Sequence, residues 1–316
     1  MSKERIVFMG TPEFAVATLK AMLDAGANVV GVITAPDRPA GRGMKLQPSA
    51  VKQYAVENGL KVLQPTNLKS ADFLNELKEL NATLQVVVAF RMLPEAVWNM
   101  PEKGTFNLHA SLLPQYRGAA PINWAVINGE KQSGVTTFFL KHQIDTGNII
   151  FQEKVDISEN ETAGELHDKL MTVGAKLVVK TLEAIESGNA PSIPQNTIKG
   201  ELKEAPKIFK ETCRIDWNRP ADDVFNLIRG LSPYPAAFTT LVSNGEEEIG
   251  LKIFKARKTD KGQPGAVGQI TVEHHQMFIK CADGWMEILE LQMAGKKRME
   301  TQAFLRGFDP AGYTVR

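Results

Sequence analysis

Cysteine is nearly absent: Cys213 and Cys281 are the only two in 316 residues. Two are too few for a disulfide framework, and they lack the paired spacing of a structural zinc site. Long apolar runs are missing as well, with no stretch near the roughly 20 residues that a spanning helix needs. Nor is there an excess of charge of one sign, since 37 Lys and Arg face 36 Asp and Glu for a formal net charge of +1. No global field draws in a polyanion, so any nucleic-acid contact must come from local patches. The start, Met1 to Arg5, carries three charged residues and leads straight into a strand-like run, without the charged-then-apolar layout of a secretory signal. The expected setting is the cytoplasm, with both thiols reduced, no membrane partner and no obligate protein partner.

What is present is the composition of an ordinary globular protein, 43% hydrophobic and 23% charged. The length exceeds one typical domain of roughly 100–200 residues, so two domains are expected. The first half alternates β-branched runs with helical patterns, which predicts a doubly wound, mostly parallel α/β sheet of Rossmann-like type. Strands are expected at 5–9, 28–34, 61–63 and 84–90, with helices at 50–58 and 71–80, the latter capped by Ser70. Thr11 reads as the N-cap of the first helix, with Pro12 at its first position and an end near Gly26. Leu84 to Phe90 is apolar nearly throughout, as a central strand covered on both faces requires. Thr162-Ala163-Gly164-Glu165 has capping-box form and opens a long helix that runs to Gly188.

Prolines 191, 194 and 206 mark a stretch of little periodicity, read as a linker over 190–207 between domains at 1–189 and 208–316. Beyond it, a short helix at 221–229 is followed by strand-like segments. Asn244-Gly245 and Asp283-Gly284 are dipeptides that two-residue hairpin turns prefer, and they predict a small antiparallel β-barrel.

Chemistry concentrates in residues 105–114. If this segment is a strand running into a loop, alternation puts Asn107 and His109 on one face and Phe106 and Leu108 on the other. Ligands of open α/β sheets bind outside the carboxyl ends of strands, where such a polar pair would lie. Either residue alone is more often a satisfied hydrogen-bonding group in a half-buried strand. Asp145, in Asp-Thr-Gly after the strand-like 135–140, likewise has a structural reading, in which Asp bonds its own backbone and Gly takes positive φ.

Taken together, Asn-x-His, then Ser-Leu-Leu-Pro, then Asp-Thr-Gly resembles the family of 10-formyltetrahydrofolate-dependent formyltransferases. The resemblance implies 10-formyltetrahydrofolate as co-substrate, no metal, and Asn107, His109 and Asp145 around the formyl carbon. Amine attack on that carbon creates an oxyanion that Asn107 and His109 would stabilise, with Asp145 favouring protonated His109 and drawing a proton from the attacking ammonium. It also implies folate contacts at Ser111, Leu112, Leu113 and Pro114, and at Phe90 and Met92 on the strand end. There Ala89-Phe90-Arg91-Met92 replaces the Tyr-Gly pair of many members, and Lys141-His142-Gln143 replaces a less basic loop.

The acceptor amine needs other evidence. Residues 34–46 form an overlong basic Gly/Pro-rich connection where a short turn would suffice. This run resembles the inserted loop by which the tRNA-acting members engage the acceptor arm, which implies methionyl-initiator tRNA as partner and Arg38, Arg42 and Lys45 as its contacts. Ile215-Asp216-Trp217, residues 228–236 and Gly295-Lys296-Lys297-Arg298-Met299 resemble the family's C-terminal, OB-like module that helps hold tRNA. A formyltetrahydrofolate hydrolase or a sugar-nucleotide N-formyltransferase could use the same three residues, and a non-catalytic tRNA-binding protein would explain the loop and the barrel but leave the trio unexplained. The first βα turn, Met9-Gly10-Thr11-Pro12, lacks the Gly-x-Gly-x-x-Gly of dinucleotide enzymes, and no Walker-type loop occurs. His274-His275 invites a metal reading, yet adjacent strand residues point to opposite faces and no ligand cluster joins them.

Overall fold

The computed structural model describes residues 4–40, 45–197, 200–243 and 248–316. In chain order the strands are β1 (Ile6–Gly10), β2 (Val29–Ile33), β3 (Arg38–Ala40), β4 (Lys45–Gln47), β5 (Val62–Leu63), β6 (Leu84–Val88), β7 (Thr105–His109), β8 (Arg117–Gly118), β9 (Gln132–Phe139) and β10 (Ile149–Asp156). They continue with β11 (Glu204–Ala205), β12 (Ala237–Ser243), β13 (Glu248–Thr259), β14 (Ile270–Glu273), β15 (Gln276–Lys280), β16 (Trp285–Met293), β17 (Met299–Glu300) and β18 (Tyr313–Val315). The helices are α1 (Glu13–Asp24), α2 (Ala50–Glu57), α3 (Ala71–Glu79), α4 (Glu95–Trp98), α5 (Pro121–Ile127), α6 (Ala163–Glu186), α7 (Ala221–Leu231) and α8 (Thr301–Leu305). They gather into two compact units, one of residues 1–118, 133–155 and 167–204, the other of 119–132, 156–166 and 205–316.

The first unit is built on a seven-stranded sheet of order β10-β9-β7-β6-β1-β2-β5. Pairings β1 with β2, β1 with β6, β2 with β5 and β6 with β7 are parallel, and β9 lies antiparallel on β7. This is the expected doubly wound, mostly parallel sheet. The chain builds outward from β1 to β2 and β5, then returns to the other side of β1 for β6 and β7. The switch point therefore lies between β1 and β6, and crevices at such points hold ligands. All five residues of β1 and all five of β6 are buried, as their nearly continuous apolar runs predict, with Gln85 the polar exception in β6. Gly10 is required where β1 turns into α1: a Cβ there would come within 2.5 Å of the Ala15 Cβ.

Two details of the helix starts differ from expectation. Pro12, with extended backbone, is the N-cap of α1, so the helix begins one residue later and Thr11 lies outside it. Ser70 is at the N-cap of α3, but its hydroxyl bonds the Asn67 carbonyl instead of capping the helix. The Thr162 and Glu165 capping box forms in both directions: Thr162 Oγ1 accepts from the Glu165 amide at 3.2 Å, and Glu165 accepts from the Thr162 amide at 2.8 Å.

The second unit contains a nearly closed antiparallel barrel of order β14-β15-β16-β13-β12-β18, with β17 beside β16. A bridge between Gln269 and Thr314 brings its ends together. Asn244-Gly245 lies outside the described residues. His274 and His275 carry φ of +50° and +62°, the signature of a two-residue hairpin turn, and they join β14 to β15. They belong to no strand face. Asp283 accepts the amide of Ala221 at 2.8 Å, so it serves the start of α7 as well as the β15–β16 connection. The stretches resembling the C-terminal module mostly build this core: Ile215, Trp217, Ile228 and Leu231 are buried, and the indole of Trp217 donates to Thr239 Oγ1.

Candidate active site

Asn107 and His109 lie on β7, two residues apart and so on one face, at the carboxyl end beside β6. Leu108 faces the other way, and α6 packs so closely there that a Cβ on Gly174 would come within 2.8 Å of it. Asn107 is half-buried, and its amide makes no hydrogen bond among the described residues. His109 is buried. Its Nε2 lies 2.8 Å from the Tyr116 carbonyl, and because a carbonyl only accepts, Nε2 must carry the hydrogen. The other ring nitrogen, Nδ1, faces Asp145 Oδ2 at 3.8 Å, with only 8% and 11% of the two side chains exposed. That distance is an electrostatic contact and too long for a hydrogen bond. His109 and Asp145 thus meet, and Asn107 shares the β7 face with His109.

Asp145 does not bond its own backbone. Its Oδ2 accepts the Gly118 amide of β8 at 3.0 Å, and the residue itself takes the positive φ of +53°. The glycine of the turn is needed for another reason. A Cβ on Gly147 would sit 1.5 Å from the Phe139 carbonyl oxygen, so only glycine lets the turn lie against the end of β9.

The Ser111–Pro114 loop is held from within. Thr136 Oγ1 donates to the Ser111 carbonyl and accepts the Leu113 amide, while Gln152 Nε2 donates to the Leu113 carbonyl. Ser111 directs its hydroxyl to the Gln115 carbonyl at 2.6 Å, and Leu113 packs with Phe138 and Ile149. Pro114 is buried, follows a cis peptide, and leaves Leu112 as the half-buried side chain of the four. On the β6 side, Ala89 has φ +46° and ends the strand at Val88, two residues earlier than predicted. Phe90 packs against the apolar cluster of that side of the sheet, and Met92 is 73% exposed.

Residues 4–182 match the formyl transferase family, and residues 207–309 match the formyl transferase C-terminal domain. The chain belongs to the formyl transferase family. Methionyl-tRNA formyltransferase of Bacteroides fragilis is 56% identical over 314 residues, covering 98% of this chain and 97% of its own. The enzyme of the same name from Parabacteroides distasonis is 55% identical over 323 residues, covering 100% of both. Among solved structures, an N-formyltransferase from Helicobacter canadensis, in complex with folinic acid and dTDP-3-aminofucose, superposes with a TM-score of 0.64. At 21% identity it covers 94% of this chain and 100% of its own, a likeness of fold.

Within this formyl transferase the overlong connection is not a bare loop. β3 and β4 pair antiparallel, Arg38 opposite Gln47, and make a hairpin. Its base is pinned: Thr34 and Ser49 hydroxyls lie 2.7 Å apart, and Asp37 accepts from Gln64 and Lys52. Arg38 is exposed on β3, Lys45 begins β4, and Arg42 lies outside the described residues. Arg38 sits near Arg91, whose pKa is depressed by burial first and by the Arg38 charge second. In the second unit Arg298 forks onto Glu290 through two bonds of 2.6 Å and lies over the Phe254 ring, so it is already paired.

The sequence reading missed Tyr116, Arg117, Gly118 and Gln195. None sits in a periodic segment, and Gln195 follows a proline in the stretch read as linker. Their contribution is made through backbone bonds and a buried amide, which leave no mark in composition.

Proposed function

We propose that this chain transfers the formyl group of 10-formyltetrahydrofolate to the amino group of methionyl-initiator tRNA. The observation that carries the reading is 56% identity to a methionyl-tRNA formyltransferase along 98% of the chain. The site is consistent with it: a half-buried Asn107 amide without a partner among the described residues, beside His109 and Asp145, fits a carbonyl oxygen. The co-substrate supplies a formyl group on a nitrogen that can leave. Asn107 donates its amide hydrogen to the formyl oxygen as that oxygen gains charge. His109 adds a second donor at Nδ1 once protonated, since Nε2–H is committed to Tyr116. Asp145 faces that cation, takes the proton lost by the amine and returns it to the folate nitrogen as the bond from that nitrogen to the formyl carbon breaks. Ser111, Leu112, Leu113 and Pro114, with Phe90 and Met92, shape the folate side of the site.

Acceptor recognition is assigned to the hairpin through Arg38, Arg42 and Lys45. The Arg91 charge is disfavoured first by burial and second by Arg38, and a phosphate placed between the two would relieve that repulsion. The first unit is assigned the chemistry and the barrel a share of the tRNA. The setting is cytoplasmic, in keeping with two buried free thiols; no helix among the described residues is long and apolar enough to cross a membrane.

One assay tests the reading: 10-formyltetrahydrofolate is supplied with and without methionylated initiator tRNA while folate release and formyl incorporation are followed together. Release coupled to tRNA is expected. Release without acceptor would replace the transferase by a hydrolase. In the same assay Arg38→Ala should raise the KM for charged tRNA and leave that for folate unchanged; an unchanged tRNA KM removes Arg38 from recognition.

A further inference from the structure

Gln195 is buried at 4% exposure, in a short 3-10 turn (Gln195–Thr197) that follows Pro194. Every polar atom of its side chain is engaged. Nε2 donates to the carbonyl of Asp145 at 2.8 Å and to the carbonyl of Gly147 at 2.8 Å. Oε1 accepts from Arg117 Nε at 3.1 Å and Nη2 at 2.6 Å. The two carbonyls can only accept and the guanidinium can only donate, so the amide has a single satisfying orientation.

One side chain therefore ties the turn that carries Asp145 to the strand that supplies Asp145 with its donor. The Asp145 carboxylate accepts the amide of Gly118, the residue after Arg117. Without the clamp, a non-glycine residue at φ +53° has a more favourable backbone conformation to relax into. The neighbouring strap repeats the arrangement for His109: the Tyr116 amide donates to the Lys203 carbonyl, and Gln115 bonds both the Lys203 amide and the Glu201 carbonyl.

We propose that Gln195 is a positioning residue of the transfer reaction, fixing the Asp145 carboxylate against His109 by holding Asp145, Gly147 and Arg117 together. This rests on the function proposed above, but the clamp itself does not. Gln195 touches no reacting atom, so its effect passes through Asp145.

The test compares the full-length wild type with Gln195→Met, which keeps the length and removes the polar atoms, and with Gln195→Glu, which keeps the acceptor and loses the donors. Amide hydrogen exchange reads the clamp without any turnover: exchange at Gly118 and across 143–147 should quicken at least about tenfold in Gln195→Met while the core strands keep their protection. Turnover reads the consequence. kcat should fall about 10- to 100-fold in both variants with both KM values within about twofold, and the fall should vanish when Gln195→Met is placed in an Asp145→Asn background, because coupled sites are not additive. Unchanged exchange at Gly118 overturns the clamp. An equal fold-loss in the Asp145→Asn background overturns its route through Asp145 and makes the residue merely structural. A wild type that transfers no formyl group overturns the proposed function instead, and the exchange result then still decides the clamp.

Discussion

The Tyr116 carbonyl only accepts, so the His109 nitrogen it faces must carry a hydrogen, and the other nitrogen can donate only from the charged ring. This gives each member of the trio a separate failure. Asn107→Ala removes a neutral donor, His109→Ala removes the chargeable one, and Asp145→Asn removes the charge that faces it at 3.8 Å. Each variant should lower kcat by about 10²–10³-fold, the usual effect of losing one preorganised donor, with an unfolding midpoint close to wild type. Single-turnover formylation measures it, and wild-type turnover in any one variant strikes that residue from the mechanism. Asn107 and His109 were legible because a period-two strand announces which residues share a face. Asp145 was legible only through its motif, and the physical reason first attached to that motif was reversed: Asp145 holds the positive φ, while Gly147 is demanded by the Phe139 carbonyl. Gln195 was illegible, since nothing in Pro-Gln-Asn states which carbonyls an amide will find.

Elements were most legible where burial is two-sided and least where single residues end them. β1, β6 and α6 follow from apolar runs and a capping box, whereas β6 ends at Val88 because Ala89 adopts φ +46°, which no residue type at that position foretells. The His274-His275 turn was missed because tertiary context chose its backbone, and the pairing of β3 with β4 because strands of three residues leave no periodicity in the sequence. The element at greatest risk from a small change is the turn between β9 and β10. Gly147→Ala places a methyl group 1.5 Å from a backbone oxygen that cannot rotate away, so the turn must move. A loss of about 3 kcal/mol or more is expected, at the high end for overpacking. Gly262→Ala, where nothing lies within 4 Å, should be neutral or slightly stabilising. Guanidinium midpoints of the two variants compare them directly, and equal midpoints would refute the forced approach.

Across the whole molecule the charges nearly cancel, so neither net charge nor composition pointed to a tRNA partner; that expectation came from motifs and the basic connection at 34–46. What whole-molecule charge does govern is the pH range of stability. Three carboxyls are held below their ordinary range: Asp37 by bonds from Gln64 and Lys52, Asp216 by bonds from Asn218, and Glu290 by bonds from Arg298. A carboxyl whose pKa is lower folded than unfolded stabilises the fold above its unfolded value, about 4, and that contribution is lost as pH falls through the folded value. The thiols act in the opposite sense. Burial pushes Cys281 up to about 12 and raises Cys213 as well. Their contribution is complete below the unfolded thiol value, about 8.5, and drains away as pH climbs toward the folded one. The melting temperature should therefore be flat between about pH 5 and 8, fall below pH 4, and fall again above pH 9. Cys281→Ala should soften the alkaline limb and leave the acid limb alone, because the three carboxyls are untouched. Calorimetry from pH 3 to 11 on both proteins checks this, and an alkaline limb identical in the variant would mean that the buried thiol at 281 does not set it.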